Sequence, residues 1–154
     1  MNRRLKQYII ASALFIAGRV ALADSGPLSS YDPPLTPELR TLLREASAEA
    51  GAAVFERKCA TCHDGSKDGK PSKGPNLWNV FGRKAASSAV FEYSDAMRKS
   101  SHIWTYATLD YYLSDTERAV PGKAMNLTGL RSPEMRADLL AYLRTLNDAP
   151  PALP

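Results

Sequence analysis

Cys59-Ala60-Thr61-Cys62-His63 is the stretch from which the rest of this 154-residue chain is read. Two thiols and an imidazole at this spacing form a complete attachment site for a c-type haem. On a helical turn, positions i, i+3 and i+4 share a face, so both sulfurs reach the haem vinyl groups while the imidazole ligates the iron. Two other readings are weaker. A structural zinc site needs four ligands, yet Cys59 and Cys62 are the only cysteines and His102 is the only other histidine. A thioredoxin-like redox pair sits in a βαβ setting, and residues 45–80 show none.

Working outward, residues 1–23 read as a secretory signal peptide. Arg3, Arg4 and Lys6 make a basic start, Tyr8 to Gly18 is a mostly apolar run, and Ala21-Leu22-Ala23 supplies a small-x-small cleavage pattern. An uncleaved membrane anchor is the lesser alternative, because Arg19 interrupts the run short of the ~18 residues that span a bilayer. Either way the haem domain is expected outside the cytoplasm, in a bacterial periplasm. Residues 1–23 hold four of the 20 basic residues and no acidic one, which leaves 16 of each sign. Residues 51–147 carry 14 basic and 10 acidic groups, while residues 24–50 carry 2 and 5, so a basic domain follows an acidic lead-in. A basic face steers docking onto acidic partners at rates that fall with salt. No motif supports nucleic-acid binding.

Residues 24–36 contain three prolines and several small polar residues, the composition of an extended linker. Thr36 caps a helix with Pro37 at its first position, and residues 24–46 are taken as a linker with a possible extra helix. From Ser47 to Lys58 a narrow stripe of Ala50, Gly51, Val54 and Phe55 leads into the haem motif. Residues 64–93 hold glycines and prolines without a sustained period, a long loop of the kind that wraps something. Ser94 caps a short helix to about Ser100, and Thr105 one from Tyr106 to about Leu113. After a second irregular stretch, Ser132 and Pro133 start a last helix whose buried face is Met135, Leu139, Leu140, Leu143 and Leu146. Residues 148–154 form a proline-rich tail. No alternating strand pattern or internal repeat is present.

These residues resemble the class I c-type cytochromes, in particular the mitochondrial cytochromes c and related bacterial proteins. The resemblance covers residues 47–147 and rests on GAAVFERKCATCH (51–63), KGPNLWNVFGRKAAS (73–87), FEYSDAM (91–97), Trp104, LDYYL (109–113), VPGKAM (120–125) and RADLLAYLRTL (136–146). It implies an all-α fold, a small helical domain whose long loops wrap one covalent haem c, with the first and last helices crossing near Gly51. Phe55, Leu139 and Tyr142 would pack around that crossing.

With His63 on one side of the iron, the candidates for the other axial position are Met97, Met125, Met135 and His102. Met125 follows a Pro-Gly turn and matches the family's methionine ligand; Met97 and Met135 read as core filler. His102 reads as a surface or hydrogen-bonding histidine. By the same resemblance, the Pro75 carbonyl accepts a hydrogen bond from His63. Arg83, Tyr93 and Trp104 would meet the haem propionates, and Tyr112 would lie near the methionine sulfur. Four positions depart from the mitochondrial pattern: Thr116 in place of a proline, Lys123 of a threonine, Met97 of an asparagine and Leu127 of a phenylalanine. None removes a ligand. Lys58, Lys70, Lys73, Arg118, Lys123 and Arg131 would border the exposed haem edge, with Glu117 diluting them.

The function implied is that of a monohaem electron carrier, not an enzyme, exchanging single electrons with membrane or periplasmic redox enzymes as a monomer. The alternative is a dedicated haem subunit of a larger periplasmic oxidoreductase or dehydrogenase, tethered through residues 24–50. A haem enzyme or gas sensor would require Met125 to leave the iron easily.

Overall fold

The computed structural model describes residues 26–154; the expected signal segment, residues 1–23, lies outside them. Six helices carry the described chain: α1 (Pro37–Glu45), α2 (Ala48–Lys58), α3 (Asp95–Ser100), α4 (Tyr106–Ser114), α5 (Thr116–Ala119) and α6 (Pro133–Thr145). Among the described residues there is no strand, only an isolated antiparallel bridge between Lys84 and Ile103. No described helix is long and apolar enough to cross a membrane.

Each helix starts where a side chain satisfies an orphan backbone N–H. Thr36, Ser47, Ser94 and Ser132 accept from the amides of Leu39, Ala50, Met97 and Met135 at 3.1–3.3 Å. Thr105 and Thr108 bond each other's amides in a reciprocal capping box. Pro37 and Pro133 occupy first-turn positions, where a missing N–H costs nothing. Ala46 is extended, at φ −68° and ψ 142°, and so separates α1 from α2.

The core is organised by α2 crossing α6. Gly51 lies at the contact: a Cβ there would overlap the backbone oxygen of Asp138 and stand 2.8 Å from Tyr142 Cβ. Close approach lets the Phe55 ring reach Tyr142, with centroids 5.3 Å apart, and buries Leu139 and Leu140 almost completely. Each such leucine stabilises the fold by roughly 1.5–3 kcal/mol relative to exposure. Asp138 also accepts a 2.8 Å hydrogen bond from the Ser47 amide, tying the start of α2 to α6. α4 packs on the same helix, and there Arg136 donates to Asp110 at 2.7 Å and to the Leu130 carbonyl at 2.8 Å.

Where the composition of residues 24–36 suggests a linker, residues 26–36 instead lie against the domain. Leu28 is 4% exposed and its amide donates to the Ala119 carbonyl at 2.8 Å. Tyr111 donates to the Gly26 carbonyl at 2.8 Å, and its ring lies 5.2 Å from that of Tyr31. α1 then buries Leu39 and Leu43 and packs on α6. The tail is held too: the Pro151 carbonyl accepts from Arg144 at 2.6 Å and Tyr106 at 3.3 Å. The four-residue α5, capped by Asp115, adds a turn between α4 and the loop that carries Met125.

Candidate haem site

The haem motif rides on the turn that closes α2. The Cys59 amide still donates to Phe55 at 2.7 Å, and the Cys62 and His63 amides both turn back to the Cys59 carbonyl at 3.0 and 2.9 Å. Both cysteines are free and half-buried. Burial, with the neighbouring Cys62 adding to it, pushes the Cys59 thiol up to about 11. Two thiols on one turn suit a pair of thioether links.

His63 is oriented by backbone. Its Nδ1 lies 2.8 Å from the Pro75 carbonyl oxygen. A carbonyl only accepts, so Nδ1 carries the proton and Nε2 keeps a free lone pair. Burial holds the imidazole pKa below its ordinary value, and the Arg83 charge pushes the same way against the Pro75 bond, which favours the neutral ring that can bind iron. Gly74 lies against this ring: a Cβ would stand 2.7 Å from Nδ1, and the Gly74 amide donates to Cys62 at 2.8 Å. The absence of a side chain at 74 is what lets the chain cradle the imidazole.

Met125 is partly buried against the core, with its sulfur 3.8 Å from the Tyr112 hydroxyl. Burial drives the Tyr112 phenol above its ordinary pKa, so it remains a donor. The loop bearing Met125 is braced at both ends. Thr116 donates through Oγ1 to Leu127 and through its amide to Thr128, and the Leu130 amide donates to Leu113 at 2.7 Å. Gly122, at φ +79°, donates to Glu117 at 2.9 Å, and Lys123 pairs with the same carboxylate at 3.4 Å. The Gly122 amide and Lys123 together hold the Glu117 carboxyl below its usual range. The Lys123 side chain is only 9% exposed. It therefore adds no free cation to the surface, unlike the exposed Lys58, Lys70, Lys73 and Arg131.

Arg83 donates to the carbonyls of Asn76 and Trp78 at 3.0 and 3.3 Å. The four ion pairs among the described residues leave it without a carboxylate. A half-buried guanidinium with no counter-ion fits an anionic group such as a haem propionate. Tyr93 stacks edge-on with Phe91, and Trp104 lies 5.2 Å from Tyr112, linking the Arg83 side of the site to the Met125 side. His102 departs from the expected role of a surface or hydrogen-bonding histidine. Its ring packs edge-on against Trp104 at 4.1 Å, and neither ring nitrogen meets a protein hydrogen-bond partner. Burial pushes its pKa down to about 4. Nothing in the Ser-Ser-His-Ile-Trp run announces that burial, and the cradling role of Gly74 likewise emerges only from the folded chain.

Residues 48–147 match the family model described as Cytochrome c. The chain belongs to the cytochrome c family. A cytochrome c of Chlamydomonas reinhardtii is 43% identical over 94 residues, which is 61% of this chain and 84% of that protein. A cytochrome c of Theileria parva is 39% identical over 108 residues, 70% of this chain and 93% of that one. A cytochrome c2 of Rhodomicrobium vannielii is 45% identical over 95 residues, 62% and 75% of the two chains. As a class I cytochrome c this chain is an all-α electron carrier, not an enzyme, and it binds one covalent haem c with Cys59 and Cys62 as the cysteines of its C-x-x-C-H motif.

Proposed function

We propose that this cytochrome c carries single electrons between membrane or periplasmic redox enzymes, with His63 and Met125 as axial ligands to the haem iron. The observation that carries the reading is the pairing of two ligand atoms with their orienting groups: His63 Nδ1 on Pro75, and Met125 sulfur beside the Tyr112 hydroxyl. When bound, the haem supplies the one-electron iron couple, whose potential rises with Met/His ligation. Pro75 fixes the imidazole plane, while Tyr112 donates toward the thioether and holds Met125 in place. Arg83, Tyr93 and Trp104 offer N–H and O–H groups to the propionates. Lys58, Lys70, Lys73 and Arg131 give the surface cations that steer an acidic partner.

Export through residues 1–23 places the protein in the periplasm as a free monomer. Residues 26–46 pack on the domain, which favours a shuttle over a tethered subunit. An optical redox titration of the exported holoprotein alongside Met125→Ala tests the ligation. The wild type should be low-spin with an Fe–S charge-transfer band, and the variant should lose that band and fall in potential. A variant that keeps both overturns the assignment. For the shuttle, oxidation by a membrane oxidase should slow as salt rises; co-purification with one enzyme that survives high salt overturns it.

A further inference from the structure

We propose that residues 26–31 form a strap that positions the methionine loop, holding α5 in place so that Met125 stays on the iron; the inference rests on Met125 being the axial ligand. α5 has only four residues, too few to persist without tertiary support. Its last carbonyl, on Ala119, has no partner within the helix and is capped by the Leu28 amide at 2.8 Å. Ala119 and Val120 are buried beneath this contact, and Pro27 and Ser29 border the same cleft as Pro121.

A stack of aromatic and cationic groups joins strap, α4 and α5. Tyr31 of the strap meets the Tyr111 ring of α4, whose hydroxyl donates to Gly26. The Arg118 guanidinium of α5 lies 4.4 Å over the same ring and donates to Ser114 at 2.9 Å. Only five residues separate Ala119 from Met125, so a shift of α5 is carried into the ligand. Beyond its far end, residues 32–36 lead into α1, which is anchored on α6.

Without the strap, α5 opens more often, and each opening lets a competing ligand reach the iron. The test uses the ferric holoprotein, with imidazole binding rate and amide hydrogen exchange of residues 116–125 as readouts. Leu28→Ala should raise both by roughly thirtyfold or more, the lower bound set by loss of a buried leucine side chain. Val54→Ala, in the α2–α6 core, should lower the unfolding temperature without this local effect. Unchanged rates in Leu28→Ala, or an equal rise in Val54→Ala, overturn the strap. Tyr111→Phe removes only the hydroxyl that holds Gly26 and should raise both rates severalfold; if Leu28→Ala does not fold, unchanged rates in Tyr111→Phe overturn the proposal. The failures are separable. A wild type without an Fe–S band refutes the ligation, whereas hydrogen exchange still decides whether the strap restrains residues 116–125.

Discussion

Gly51→Ala places a methyl group where α2 and α6 cross. The new Cβ would overlap the backbone oxygen of Asp138 and approach Tyr142 Cβ to 2.8 Å. Neither obstacle can rotate away, so the helices must separate and loosen the packing of Phe55, Leu139 and Leu140. At an exposed helical site the same change gains about 1 kcal/mol from helix propensity. Overpacking a core costs roughly 1–3 kcal/mol, and a backbone obstacle puts the cost at the upper end. The net loss is then about 2 kcal/mol, which for a domain of this size lowers the unfolding temperature by roughly 8 °C. Urea unfolding of the holoprotein, followed by haem absorbance and helical circular dichroism, measures it. Ala53→Gly on the exposed face of α2 is the control and should lose about 1 kcal/mol through propensity alone. A Gly51→Ala protein as stable as the wild type refutes the close crossing.

Three further outcomes follow from polar contacts. Asp148 accepts from Asn79 at 2.7 Å and Trp78 at 3.3 Å and pairs with Lys67 at 2.6 Å, which together draw its pKa down to about 2. A depressed carboxylate pKa gives stability that is complete above about pH 4 and lost as pH falls through 2, so Asp148→Asn should flatten the stability profile in that window. Asp110→Ala leaves the buried Arg136, 8% exposed, without its carboxylate, and should cost about 3 kcal/mol in urea unfolding. A loss below about 1 kcal/mol would mean the pair behaves as a surface contact. His102 has a folded pKa of about 4, below its ordinary value, so the unfolded chain takes up its proton first and stability falls as pH drops from about 6.5 toward 4. His102→Leu should remove that acid-side loss; a profile unchanged by the substitution refutes the burial of the ring.

Local signals made much of the fold legible. Thr36, Ser94, Thr105 and Ser132 each stand one residue before a helix because a hydroxyl there satisfies an amide that the helix cannot, whereas the break at Ser47 between α1 and α2 is settled only by the fold. The Asp115-Thr116-Glu117 run carries the same signal for α5, but four residues leave no periodicity to confirm it. Beyond the crossing at Gly51 and the His63–Pro75 bond, which the family resemblance implies, contacts between distant segments were not legible. Leu28 is one leucine in a proline-rich stretch, and only its meeting with Ala119 makes it core. Lys123 follows a turn and reads as a surface cation until Glu117 and the folded loop enclose it. At the site, the cysteines and His63 are readable because their spacing is the geometry. Arg83 and Tyr112 acquire meaning only through the partners that the folded loops bring to them.

The backbone cradle at Gly74 and Pro75 makes the two sides of the proposed iron site unequal as targets for variation. The imidazole is held by an absent side chain and by a main-chain carbonyl, neither of which a point substitution can adjust by degrees. The methionine rests beside Tyr112 on a loop whose bracing comes from replaceable side chains such as Thr116 and Glu117. Selection can therefore retune the centre in small steps from the methionine side, while the histidine side serves as its fixed reference.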